Sequence, residues 1–212
     1  MHVLVLDASG GVGREIVRQG IARGFRLVAQ TRTASKFADK TEGVEIVEAD
    51  PLDPHAIDRL VRDVDAVVFA LGFGKTTTTA FFSDTTRILI AAMRASNVRR
   101  LVAITGVGAG ETRGHGGISY DWLVFPLFTR NRYKDKDKER QEALIEASGL
   151  EWVIVRPAPF DDTPAKTPLQ VHTAIGPDVV LRRITRSEVA DFVLDQLGDN
   201  TYLRQRPFIG HP

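Results

Sequence analysis

The apolar positions of this chain fall into short unbroken runs separated by amphipathic stretches. Val3-Leu4-Val5-Leu6 is one such run, and it suits a strand covered on both faces, as parallel strands between helix layers are. A glycine-rich turn follows, from Asp7 to Gly13. Val12, Ile16, Val17 and Ile21 then recur at helical spacing with Gly24 as a stop, which predicts a helix over 12–23. Strand-like runs return at 26–30 and 44–47, with polar residues between them. Ala56, Ile57, Leu60 and Val61 share one face of a helix over 54–62, and 66–70 reads as another buried strand. The alternation continues with a helix over 80–96, a strand at 101–105, a helix over 136–148 and a strand at 152–155.

Regular alternation of this kind implies a parallel sheet with right-handed crossovers and helices on both faces, the doubly wound Rossmann-type α/β architecture. Beyond Arg156 the pattern loosens through Pro157, Pro159, Pro164, Pro168 and Pro177. Thr185-x-x-Glu188 then reads as a capping box opening a last helix, with Val189, Phe192, Val193 and Leu197 facing inward. No repeat or linker marks a boundary, so one domain over 1–212 is expected, with 157–185 as a substrate-side segment.

Composition narrows the function. Lys and Arg number 28 against 27 Asp and Glu, so no broad basic field invites nucleic acid. Cysteine is absent, which leaves no disulfide framework, thiolate metal site or cysteine nucleophile, and any redox chemistry then needs a bound cofactor. The first residues run straight into a strand pattern without a signal peptide's basic and apolar regions, and no apolar run approaches the ~18 residues of a membrane span. A cytoplasmic protein with neither a membrane nor a nucleic-acid partner is expected, and the oligomeric state stays open. His2, His55, His172 and His211 are too scattered to suggest a metal site.

The turn between the first strand and first helix carries the chemistry. Gly10 and Gly13 let the backbone approach a diphosphate and let the helix pack closely on the sheet, while free N–H groups and the helix dipole attract the anion. At the end of the second strand, Thr31-Arg32-Thr33 supplies a guanidinium where NAD-specific domains usually place an acid, which favours NADP(H) over NAD(H). Asp50, in Ala49-Asp50-Pro51-Leu52-Asp53, is placed to accept from an adenine amine, whereas Asp53 is more simply a helix N-cap before Pro54. Ala70, Leu71 and Gly72 close the fourth strand and let a ribose pass near the main chain.

These segments resemble the atypical short-chain dehydrogenase/reductases, specifically the NAD(P)H-binding, NmrA-like branch that includes flavin reductase and biliverdin reductase B. The resemblance spans nearly the whole chain. It rests on Ala8-Ser9-Gly10-x-x-Gly13, on Glu48 to Asp53, on Glu142 to Pro157, which is similar to the family's helix-strand-Arg-Pro segment, and on Arg186-Ser-Glu-Val-Ala190-Asp191. It implies hydride transfer from NADPH to a small molecule. It also implies a cofactor site that takes in Ser9, Gly11 and Val12 at the turn, Pro51 and Leu52 after the third strand, Thr105 and Gly106 after the fifth, and Lys138 and Pro157.

Three departures from the family pattern stand out. Asp7 occupies the family's first glycine position, where its carboxylate either repels a diphosphate or turns away toward a neighbouring strand. Ile104-Thr105-Gly106 replaces the family's Ser-Ser/Thr pair, leaving Thr105 as a substitute hydroxyl. Lys138 falls in the lysine register of the family's Tyr-x-x-x-Lys pair, but Lys134 holds the tyrosine register and Tyr133 is displaced by one. Without that tyrosine the resemblance points to conjugated acceptors such as a flavin or quinone, which take hydride and then a proton from water. His115, in Arg113-Gly-His-Gly-Gly117, is a further polar candidate at the nicotinamide end. Two alternatives stay open: a non-catalytic NADP(H)-sensing regulator, and a non-redox isomerase or epimerase on the same fold. The mixed-sign run Lys134 to Arg140 is expected to be a solvated helix start.

Overall fold

Val3 and Val5 point to one side of the first strand and Leu4 and Leu6 to the other, and all four are fully buried. That single strand therefore seeds both hydrophobic layers. The computed structural model describes residues 1–37, 43–72, 79–106, 132–176 and 178–212, with the main chain alone for 36 and 132–135.

In chain order the elements are β1 (His2–Leu6), α1 (Gly11–Ala22), β2 (Arg26–Thr31), a short 3-10 turn (Ala34–Lys36), β3 (Val44–Glu48), α2 (Pro54–Val61), β4 (Ala66–Phe69), α3 (Phe81–Ala95) and β5 (Arg100–Ile104). Then follow α4 (Arg132–Glu146), β6 (Glu151–Pro157), β7 (Gln170–His172), α5 (Arg186–Asp195) and β8 (Phe208–Gly210). The eight strands among the described residues belong to one sheet, in the order β3-β2-β1-β4-β5-β6-β8-β7. Every pairing is parallel except that of β7 with β8. One face is covered by α1 and α5, with Ile16, Val189 and Val193 against Val3 and Val5. The other is covered by α2, α3 and α4, with Ile57, Leu89 and Ile145 against Leu4 and Leu6. The doubly wound Rossmann-type sheet is thus present, and its order reverses between β1 and β4, the switch point where such sheets open a crevice at their carboxyl ends.

Local chemistry explains the helix starts. Asp53 caps α2 by accepting from His55 N–H, with Pro54 in the first turn. Thr185 and Glu188 form the expected reciprocal capping box of α5. α3 is capped from outside its own segment, because Asp137 of α4 accepts the Phe82 N–H at 2.7 Å and the Ser83 N–H at 3.3 Å.

That cap corrects the sequence expectation of a solvated run at 134–140. Asp137 and Lys138 are each 2% exposed, and Gln141 and Glu142 are buried behind them. Lys136, Glu139 and Arg140 stay exposed as expected, whereas Asp137 and Lys138 go inward because each finds partners there. The two terminal strands were not anticipated either. Phe208–Gly210 inserts between β6 and β7 and ties the segment after Arg156 to the sheet. Among the described residues no helix is long and apolar enough to cross a membrane.

Candidate functional site

The anticipated cofactor residues within the described segments gather at the carboxyl ends of the strands. After β1 the chain turns through Asp7 to Gly10, with the Gly10 N–H donating to Asp7 O at 2.9 Å, and enters α1 at Gly11. Among the described residues no side chain caps that helix start, which leaves its first N–H groups to an anion. A Cβ on Gly13 would fall 2.2 Å from Asp7 O and 2.8 Å from Ala8 Cα, so only glycine lets α1 press this closely on the turn. This cradle fits a dinucleotide diphosphate.

Asp7 sits in the left-handed region at φ 59°, a conformation that Asp tolerates better than most residues. Its main-chain N–H donates to Gln30 Oε1 at 2.9 Å. Its carboxylate turns toward the turn: a Cβ on Gly10 would fall 2.7 Å from Asp7 Oδ2. Of the two orientations open to the sequence, the carboxylate takes the one beside the glycine turn, while the main chain makes the contact with β2. Gln30, which sequence reasoning overlooked, is buried and also donates to Ala49 O at 2.6 Å, bracing the ends of β1, β2 and β3 together.

Around this turn, Thr31 Oγ1 donates to Ser9 Oγ at 2.8 Å, so this threonine hydroxyl faces inward while Arg32 is exposed beside it. Among the described residues Arg32 makes no ion pair. Asp50 is exposed and its Oδ1 accepts the Leu52 N–H at 2.9 Å, with Pro51 buried between them. Ala70, Leu71 and Gly72 follow β4, and the Ala70 N–H donates to Leu6 O at 3.2 Å. Val12 is half-buried in the first turn of α1, and Pro157 ends β6 as a buried residue.

At the inner end of the crevice, Thr105 is 9% exposed, its N–H donates to Val155 O at 3.0 Å, and its Oγ1 is buried without a hydrogen-bond partner among the described residues. Gly106 follows at φ 115°, which glycine alone adopts without strain. Lys138 reaches the same ends from α4. Its Nζ donates to Leu71 O at 3.2 Å and to Ile104 O at 3.4 Å and lies 3.8 Å from the Phe82 ring centroid. Burial pushes this ammonium down to about 7, against the opposing pull of Glu142 and Asp137. Behind it, Arg156 of β6 pairs with Glu142 through Nη2 to Oε2 at 2.6 Å and Nε to Oε1 at 3.2 Å. His115 and most of the anticipated wall at 106–133 lie outside the described residues. Among the described residues no group of three or more His, Cys, Asp or Glu is placed to hold a metal.

The family model described as NAD(P)H-binding matches residues 8–200, from the glycine turn to beyond α5. The chain belongs to this NAD(P)H-binding family. Proteins similar to it include named reductases and an uncharacterized sugar epimerase. A (4-alkanoyl-5-oxo-2,5-dihydrofuran-3-yl)methyl phosphate reductase from Streptomyces griseus is 31% identical over 159 residues, covering 74% of this chain and 48% of the relative. The chain thus spans about half the length of that curated relative. Two solved structures share the fold. A short-chain dehydrogenase/reductase from Veillonella parvula in complex with NADP has a TM-score of 0.77 at 16% identity and covers 100% of this chain and 94% of its own. A candidate NADH-flavin reductase from Streptococcus pneumoniae has a TM-score of 0.76 at 19% identity, with 100% of both chains covered. At these identities the likeness is one of fold alone.

Within this NAD(P)H-binding chain, two features were invisible in the sequence. One is the Glu142–Arg156 pair behind Lys138. The other is Arg186, whose side chain crosses to Gly11 from the start of α5. The first joins positions 14 residues apart and the second joins opposite ends of the chain, and no local pattern signals either contact.

Proposed function

We propose that the protein is an NADPH-dependent reductase that delivers hydride to a flat conjugated acceptor such as a flavin or quinone. The observation that carries the cofactor half is the uncapped start of α1 pressed on a turn where Gly13 has no room for a Cβ. The N–H groups there hold the diphosphate. Arg32, exposed at the end of β2 where NAD-specific domains place an acid, takes the 2′-phosphate. Asp50 offers its remaining oxygen to the adenine amine, and Ala70 to Gly72 admit the ribose.

When bound, the dihydronicotinamide supplies hydride. The chain shapes the place where it is delivered. Lys138 ties the carbonyl ends of β4 and β5 together beneath that place, and Thr105 Oγ1 offers a hydroxyl at its inner wall. The missing family tyrosine supports an acceptor that draws its proton from water. A segment over 157–185 walls the substrate side.

The regulatory reading is favoured by one observation: Lys138 is spent on main-chain carbonyls and the Phe82 ring, as a scaffold lysine would be. NADPH oxidation with flavin, quinone or dichlorophenolindophenol separates the readings. Turnover with one of these acceptors supports the reductase. Micromolar NADPH binding with no turnover on any of them overturns it in favour of the sensor or of a non-redox isomerase or epimerase. Arg32→Ala is expected to abolish the preference for NADPH over NADH in the same titrations.

A further inference from the structure

Arg186 opens α5, and its side chain runs across the start of α1. A Cβ on Gly11 would fall 2.7 Å from Arg186 Nε and 2.9 Å from its Cδ, so glycine at position 11 is what leaves room for this arginine. The guanidinium is held there by Asp162 of the substrate-side segment. Nη1 pairs with Asp162 Oδ2, while Asp162 Oδ1 accepts the Arg186 main-chain N–H at 3.0 Å. The Phe160 ring lies 5.0 Å from the Arg186 Cζ.

The charges on the two flanks of the turn are opposite. Asp7 places its carboxylate against Gly10, and Arg186 places its guanidinium against Gly11. An incoming diphosphate is repelled on the first side and attracted on the second, and a guanidinium can hold phosphate oxygens with two parallel hydrogen bonds. We propose that Arg186 is a diphosphate-binding residue of this site, and that Asp162 is the counter-ion it gives up when the diphosphate arrives. The exchange loosens the hold on Phe160 to Asp162, so nucleotide occupancy is communicated to the substrate-side segment. This rests on the nucleotide-binding reading above.

The test is calorimetric titration of the wild type, Arg186→Gln, Arg186→Lys and Asp162→Asn with NADPH and with ADP. One charge-assisted hydrogen bond is worth about tenfold in affinity. Arg186→Gln should weaken both ligands by about that factor, with Arg186→Lys between it and the wild type. Asp162→Asn keeps the amide-accepting oxygen but removes the competing charge, so it should tighten both ligands. Opposite signs for Arg186→Gln and Asp162→Asn support the exchange. If both variants weaken binding, or if neither changes it, the pair is only a structural latch and the inference fails while nucleotide binding stands. If the wild type binds neither NADPH nor ADP, the nucleotide-binding reading itself falls.

Discussion

Glu142 holds the Arg156 guanidinium with both carboxylate oxygens, and neither side chain reaches solvent to any useful extent. The pair bolts α4 to β6 directly behind Lys138. Breaking one half of a buried pair strands the other charge and costs about 3–5 kcal/mol, whereas replacing both by apolar groups costs far less. Glu142→Leu should therefore lower the free energy of unfolding in urea by about that amount, and adding Arg156→Met should restore much of it. A double variant no better than the single one would contradict this account.

Lys138 gives a pH signature. Its folded value of about 7 lies below the ordinary 10.5, so between these two values the unfolded chain holds a proton that the folded chain does not. Stability must then rise with pH across that window, by at most about 1.4 kcal/mol per pH unit, and the contribution is flat below and above it. Comparing unfolding midpoints of wild type and Lys138→Met across this range isolates the effect. The stability of the wild type relative to Lys138→Met should rise steadily with pH across the window, because the neutral amine costs less to bury.

Gly13 and Gly11 make a matched contrast. A Cβ at 13 meets main chain at 2.2 Å, while one at 11 meets only the flexible Arg186 side chain. Gly13→Ala should cost about 2–3 kcal/mol and lower the melting temperature by roughly 5–10 °C. Gly11→Ala should leave the melting temperature nearly unchanged. Thermal unfolding of the two variants side by side decides the matter.

Asp7→Gly removes both a left-handed backbone cost and a carboxylate beside the turn. Removing the charge should improve NADPH affinity by on the order of 1 kcal/mol, about fivefold, with a larger gain at low salt. An affinity that is unchanged at low ionic strength would mean that the carboxylate does not feel the nucleotide.

Much of this architecture was readable in advance because its signals are local. The apolar run at Val3 to Leu6, the turn at Asp7 to Gly13 and the Thr185–Glu188 box each lie within a few residues of chain, and each appears where its pattern placed it. Phe208–Gly210 and Gln170–His172 are too short to show a period, and their pairing is decided by partners about 40 residues away. The inward turn of Asp137 and Lys138 was hidden for a different reason. Alternating charges look the same on a solvated face as on one whose partners, here the start of α3 and the ends of β4 and β5, come from elsewhere in the fold. Arg186 stood in a segment the resemblance rests on, but its reach to Gly11 was not legible because only the packing of α5 on α1 brings it there.

The insertion of β8 between β6 and β7 also sets an order of assembly. β6 cannot gain its outer neighbour, nor β7 its described partner in the sheet, until residues 208–210 have been synthesised. The nucleotide side of the crevice is lined by the ends of β1 to β5, but its α1 face is closed only when α5 packs beside α1. Both sides of the crevice therefore draw on chain beyond residue 185, the nucleotide side on α5 and the substrate side on β8, so the means to hold a dinucleotide and the wall that would select its partner are completed by the same late stretch.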